Sequence, residues 1–186
     1  VEKYLPELKD LQVFAGTDSS GGIVTEPQNH KMTIRELMSH TGGLSYGIFA
    51  ASPVDTKYAE AGLLDNGDTL EEFTTKLGQI PLKHQPGTTW EYSVSVDVQG
   101  YLVEKLAGQS FGSFLEERIF EPLKMTDTDF HVPEEKVSRF AQVYGYDDAG
   151  KLEAGEGFPG ANFLVDPVFE SGGGGLVSTA MDYMRF

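Results

Sequence analysis

Residues 94–123, VSVDVQGYLVEKLAGQSFGSFLEERIFEPL, constrain the fold more than any other stretch of the chain. Val94, Val98, Tyr101, Leu102 and the Lys105-Leu106 pair recur at three- and four-residue intervals, the spacing that puts side chains on one helix face. Gly108 follows as the residue that most easily ends a helix in the left-handed conformation. Ser110 then offers a hydroxyl to cap a second helix over FGSFLEERIFEPL, which Pro122 closes. Only two residues separate the helices, so they pack as neighbours, and the remaining chain must be arranged around them.

Two further helices are marked by their caps. In MTIRELMSH, Thr33 and Glu36 form a capping box, and Met32 faces Leu37 as a hydrophobic staple. That helix is expected from about Ile34 to His40, stopping at Gly42-Gly43. Asp68-Thr69 caps another that ends near Gly78, with Leu70, Phe73 and Leu77 on one face. Pro81, Pro86 and Gly87 mark a loop. Further on, AQVYGYDDAGKLEA alternates around Asp148-Ala149-Gly150 and is expected to be a hairpin. The stretch GFPGANFLVDPVFESGGGG reads as loop, and STAMDYMRF as a helix starting at Ser178.

The chain has 186 residues, 39% of them hydrophobic, which suits one globular domain with a real core. No apolar run approaches the roughly 20 residues needed to span a bilayer, so no membrane partner is expected. The formal charge of −15 with scattered Lys and Arg argues against nucleic acid, whose phosphates call for clustered cations. There is no cysteine, hence no thiol nucleophile or cysteine-based zinc site. His30, His40, His84 and His131 are far apart and lack metal-ligand spacing, so no metal is expected. Gly172 to Gly175 lacks the Gly-Lys-Ser/Thr of a phosphate loop; its glycines imply backbone freedom or close approach of another segment.

Gly43-Leu44-Ser45-Tyr46-Gly47 is a literal match to the G-x-S-x-G nucleophile elbow. That motif needs a strand running in and a helix running out. Here a helix runs in, and Ser52-Pro53 follows too closely for a clean helix exit. Ser45 is therefore rejected as a nucleophile and read as a loop residue.

The stretch QPGTTWEYSVSVDVQGYLVEKLAGQSFGSFLEERIFEPLKMTDTDF resembles the serine β-lactamase-like superfamily, which includes class C β-lactamases, D-Ala-D-Ala peptidases and family VIII carboxylesterases. TIRELMSHTGGLSYG is similar to that family's TIRDLLTHTSGL segment. KYLPELKDLQV resembles the segment after its nucleophile helix, and SGGGGLVSTAMDYMRF a later loop and helix. The order agrees over essentially the whole chain. The family's chemistry uses a Ser-x-x-Lys pair, a Tyr-x-Asn or Tyr-Ser-x motif, and a Lys/His-Thr/Gly-Gly strand that lines the oxyanion hole. Tyr92-Ser93-Val94 matches the second, so the resemblance implies Tyr92 as general base. Trp90, Ser93 and Val94 are then expected beside the substrate pocket, with Trp90 as a wall of the pocket or part of the core.

Two departures shape what the resemblance implies. Val94 stands where the amide of the motif would be, which tilts the reading from β-lactamase or peptidase toward the esterase branch. No serine has a lysine three residues later. The chain thus reads as an internal fragment, a single partial domain over residues 1–186, with no leader visible where it opens at VEKYLPELKDL. The implied fold is α+β and mainly helical: the family's helical region with a short hairpin and long loops, most of its antiparallel sheet lying elsewhere. The implied activity of the intact protein is cleavage of small esters through an acyl-enzyme, without a cofactor. Alternatives are a β-lactamase or D-Ala-D-Ala peptidase, and a truncated non-catalytic homologue that binds a ligand or partner. A tyrosine titrates near ~10 and needs a neighbouring cation to act as a base near neutrality. The family's lysine is not in this sequence, so the segment alone is expected to be inactive. The faces of Val94, Val98, Tyr101 and Leu102, and of Phe111, Phe114 and Leu115, are expected to cover one another only in part, leading to self-association or, in a monomer, to loose packing.

Overall fold

The computed structural model describes residues 1–48, 52–63, 67–155 and 162–186. Among them, seven helices and two short antiparallel hairpins make an α+β arrangement that is mainly helical. Strands β1 (Val13–Thr17) and β2 (Ile23–Glu26) pair first, around a bulge between Phe14 and Gly16. Asp18 organises their turn, its carboxylate accepting the backbone N–H groups of Ser20 and Gly22. This hairpin was not anticipated, although Asp18-Ser-Ser-Gly-Gly is a strong turn sequence.

Helix α1 (Ile34–Met38) has the expected box: Thr33 Oγ1 accepts the Glu36 N–H, and the Glu36 carboxylate accepts the Thr33 N–H. It ends two residues before His40. His40 itself adopts φ +56°, so it already belongs to the exit turn. Helix α2 (Pro53–Glu60) corrects the reading of Ser52-Pro53. Ser52 is its N-cap in a box with Asp55, and Pro53 sits in the first turn, where its missing N–H costs nothing. A helix therefore does follow GLSYG. Helix α3 (Leu70–Leu77) is capped by Thr69 with Glu72, while Asp68 instead pairs with Lys76.

Helix α4 (Ser95–Ala107) is the central element, and Gly108 leaves it at φ +70° as expected. Val94, Val98, Tyr101 and Leu102 are all buried, against the expectation that they would be covered only in part. Helices α1, α3 and α5 (Phe111–Leu115) pack around α4 and supply that cover. The α5 approach needs Gly100: a Cβ there would lie 3.2 Å from the Phe111 ring. Leu106, by contrast, points outward at 61% exposure.

The second helix spans the expected FGSFLEERIFEPL and ends one residue past Pro122, but it is not regular throughout. After α5 the backbone widens into a π turn (Glu116–Phe120) and continues through Pro122 in α6 (Glu121–Leu123), ending at Lys124 with φ +58°. The wider turn relieves the clash and missing N–H that a proline brings to a regular helix. The expected second hairpin forms from β3 (Tyr144–Tyr146) and β4 (Leu152–Ala154), with Asp147 Oδ1 accepting two turn N–H groups. Helix α7 (Ala180–Arg185) is capped by Thr179, one residue later than expected, and exposes Met181, Tyr183 and Met184. Of the expected 157–175 loop, residues 157–161 lie outside the described residues; the rest forms turns and bends.

Candidate active site

Residues 90–93 lead into α4 outside any helix or strand, and exposure alternates along them. Trp90 is 66% exposed and Tyr92 42%, whereas Glu91 is largely withdrawn and Ser93 is 2% exposed. The segment is fastened on both sides of Tyr92. The Glu91 N–H donates to the His40 carbonyl (2.9 Å), and the Val94 N–H donates to the Ser45 carbonyl (3.2 Å). The Ser93 N–H donates to His40 Nδ1 (3.2 Å), and Ser93 Oγ bonds the same nitrogen (3.1 Å) and Ser95 Oγ (2.7 Å). A backbone N–H can only donate, so Nδ1 of His40 carries no proton and the imidazole is the neutral Nε2–H tautomer. Burial lowers the His40 pKa in the same sense.

The Tyr92 ring sits between two others. Tyr46 stacks on it with centroids 5.3 Å apart and planes 16° apart, and His40 lies tilted at 5.0 Å. Burial first, then the Asp97 carboxylate, pushes the Tyr46 phenol up to about 12. Asp97, in the first turn of α4, is itself buried; desolvation raises its pKa although Ser171 Oγ (2.6 Å) and the Gly173 N–H (3.1 Å) both donate to it. Through these two bonds the glycine-rich segment is laid across the start of α4. A Cβ on Gly172 would fall 2.4 Å from the Val96 carbonyl oxygen. Close approach of another segment is thus the reason for Gly172, whereas Gly174 has open space around it.

Two expected pocket residues are placed differently. Val94 is fully buried as the N-cap of α4, and Ser93 turns inward to His40, so neither faces solvent beside Tyr92. Trp90 is neither core nor enclosed wall, touching His40 edge-on at 6.3 Å. A hollow of about 160 Å³ adjoins Tyr46 between Ile48, Tyr58 and Leu63. The larger cavity, about 850 Å³, is lined by Phe120, Asp127, His131 and Arg139 among others and includes none of Tyr46, Trp90 or Tyr92. Its size carries no chemistry by itself, and the stacked phenols define the candidate site.

Ser45 is 2% exposed and follows no strand. Its hydroxyl lies 2.5 Å from Asp55 Oδ1 and 3.0 Å from Glu91 Oε1, and its N–H donates to Tyr58 Oη. A hydroxyl sealed between two carboxylates is out of reach of a substrate carbonyl. Lys83 joins the same cluster, 2.5 Å from Glu91 Oε1 and 3.2 Å from Asp55 Oδ2, and His84 Nε2 lies 2.7 Å from Glu91 Oε2. Sequence reasoning missed this network, because its members come from four separate segments. Among the described residues, no group of three or more His, Asp or Glu is arranged to hold a metal ion.

Comparison with known proteins gives this geometry a context. The family model described as Beta-lactamase matches residues 1–186. Protein Rv1367c of Mycobacterium tuberculosis is 33% identical over all of this chain and 45% of its own length. Monacolin J acid methylbutanoyltransferase of Aspergillus terreus is 30% identical over all of this chain and 44% of its own. Esterase EstB of Burkholderia gladioli is 32% identical over 83% of this chain and 43% of its own. Among solved structures, unliganded simvastatin synthase (LovD) from Aspergillus terreus, as the selenomethionyl derivative, superposes with a TM-score of 0.79 at 29% identity, over all of this chain and 45% of that one. The chain spans less than half the length of the curated relatives it matches.

Proposed function

The chain belongs to the Beta-lactamase family, and from that premise we propose that the intact protein is a serine hydrolase of the carboxylesterase type, with Tyr92 as its general base. The observation that carries this reading is the presentation of Tyr92. Its neighbours in sequence are fastened inward, while its own ring is stacked between Tyr46 and His40 and 42% exposed. A base must be held still and yet reach solvent-borne substrate, and this arrangement does both.

The proposed chemistry is acyl transfer through a serine ester. Tyr92, as phenolate, takes the proton of the nucleophilic serine as its Oγ attacks the ester carbonyl. Collapse of the tetrahedral adduct expels the alcohol, which takes up that proton, and leaves the acyl group on the serine. Water then adds to the acyl-enzyme and releases the acid, restoring the hydroxyl. Residues 1–186 hold no serine with a lysine three positions on, so this reading needs a nucleophile from outside these residues. The cation that activates the phenol comes from the same place. His40 is neutral, and Lys83 is engaged by Asp55 and Glu91. Reading the encoding DNA upstream of Val1 for a Ser-x-x-Lys codon series tests this directly.

The ester branch is favoured over β-lactamase by Val94. The position holds an alkyl side chain buried under α4, with no amide to offer a lactam or peptide. An acyl-enzyme can also pass its acyl group to an alcohol instead of water, and the relatives include an acyltransferase beside an esterase. Assay of the intact protein with p-nitrophenyl butyrate and with a chromogenic cephalosporin separates the branches. Ester turnover without cephalosporin turnover is expected; faster cephalosporin opening would overturn the esterase assignment.

A further inference from the structure

We infer that Glu91, through its ion pair with Lys83, is the positioning residue that holds Tyr92 outward; this rests on the reading of Tyr92 as general base. Along this segment Trp90 and Tyr92 face outward while Glu91 and Ser93 are withdrawn. Drawing the carboxylate of residue 91 inward therefore turns residue 92 outward, and the structure draws it inward strongly. Glu91 Oε1 receives Lys83 Nζ at 2.5 Å and the Ser45 hydroxyl at 3.0 Å, and Oε2 receives His84 Nε2 at 2.7 Å. Burial alone would raise the Glu91 pKa, but Lys83, His84 and Ser45 more than offset it and hold the carboxyl below its ordinary value. Lys83 likewise stays charged: burial lowers it, and Glu91 and Asp55 raise it further.

The holding group is itself fixed in the core. The Lys83 N–H donates to the Gly43 carbonyl at 2.7 Å. Leu82, one residue earlier and fully buried, exchanges backbone bonds with the β1 region through Gln12 and Phe14. Lys83 is only 13% exposed, and Asp55, 3% exposed and at the start of α2, shares its ammonium. The chain of contacts thus runs from the β1 hairpin and α2 through Lys83 to Glu91, and so to the backbone of Tyr92. His40 holds the other side through Ser93. Two inward anchors at 91 and 93 leave residue 92 a single direction.

The consequence is specific. Loosening Glu91 should misplace the Tyr92 hydroxyl without altering the rest of the substrate surface, so turnover falls while binding persists. Displacement of a reacting group by about 1 Å can cost on the order of 10²-fold in rate. In the full-length protein, with p-nitrophenyl butyrate, Glu91→Gln and Lys83→Met are each expected to lower kcat by roughly 10–10²-fold with KM changed less than about 3-fold. Because the two act as one unit, the double variant should fall no further than the worse single variant. Glu91→Gln is isosteric, and its retained cooperative melt shows that the loss is not unfolding. Tyr92→Phe, run in parallel, separates the layers of the inference. If Tyr92→Phe abolishes turnover but Glu91→Gln keeps kcat within 2-fold of wild type, the positioning role is refuted and the base assignment stands. Independent, multiplicative losses in the double variant would also refute it. Near-wild-type turnover by Tyr92→Phe removes the base assignment, and the positioning role with it.

Discussion

Replacing Lys83 by methionine removes the one cation shared by Asp55 and Glu91, and its effect on stability should depend on pH in a definite way. Breaking a buried ion pair by deleting one partner typically costs about 3–5 kcal/mol, because the remaining charge is left without compensation. Glu91 is 24% exposed and part of its charge will be solvated, so a smaller loss, ~2–3 kcal/mol at pH 7, is expected. In the wild type, burial raises the Asp55 carboxyl, but hydrogen bonds from Ser45, Ser52 and Lys83 outweigh it and the pKa ends below the ordinary value. Glu91 is depressed on the same balance. A carboxyl whose folded pKa lies below its unfolded one stabilises above the unfolded value, near ~4, and that contribution is lost as pH falls through the folded pKa. Wild-type stability should therefore drop in acid below about pH 4. Without Lys83 both carboxyls are pushed upward by burial and mutual repulsion, so protonation relieves the variant sooner. The difference between wild type and Lys83→Met should shrink steadily from pH 7 to pH 4, as read by urea unfolding at each pH. A difference that stays constant over that range would mean that only packing was lost, and would refute the electrostatic account.

Three other outcomes follow from the same geometry. Gly43 has φ +87° and a Cβ there would lie 2.1 Å from the His84 carbonyl oxygen, so Gly43→Ala should lose on the order of 3 kcal/mol or more, a Tm fall of about 6–12 °C for a domain of this size; a melt within 2 °C of wild type would contradict it. Residues 1–186 alone should not hydrolyse p-nitrophenyl acetate above an albumin control, and Ser45→Ala should lower stability by about 1–2 kcal/mol through its buried partners without touching rate. Saturable turnover abolished by Ser45→Ala would instead revive the nucleophile elbow. Met181, Tyr183, Met184 and Phe186 are 61–80% exposed together, so the isolated chain should self-associate in light scattering and bind a hydrophobic dye; a monodisperse monomer that binds none would count against this.

What could be read in the sequence was local. The Thr33–Glu36 box, the Gly108 exit and the turn at Asp148-Ala149-Gly150 are each made by residues within four positions of one another, and all three form, the last held by Asp147. The Ser52-Pro53 signal was just as local but was given the wrong weight: Asp55 takes the place of the usual Glu in the box, and the proline reads as a break unless the cap is recognised first. Near Pro122 the helix ends where its segment was expected to end, and only the π turn at Glu116–Phe120 had no local sign. Tyr92 became a candidate through its resemblance to a family motif, not from spacing. The setting of Tyr92 was not legible at all. Glu91 meets Ser45 across 46 residues and Lys83 meets Asp55 across 28, and no local pattern encodes such pairs. Nor could composition tell that His40 would turn its Nδ1 to Ser93, 53 residues away.

The central claim is that the Tyr92 hydroxyl moves the proton in acylation, and substitution by phenylalanine removes that hydroxyl alone. Since the ring faces Tyr46 and His40 through its stacked and tilted planes, Tyr92→Phe keeps those contacts and should retain a cooperative melt. In the full-length protein, the pre-steady-state burst of p-nitrophenol from p-nitrophenyl butyrate measures acylation directly. A fall in the burst rate by roughly 10²–10⁴-fold, with fold retained, is the predicted result. A burst rate within a few fold of wild type would contradict it and reduce Tyr92 to a structural ring in an aromatic stack.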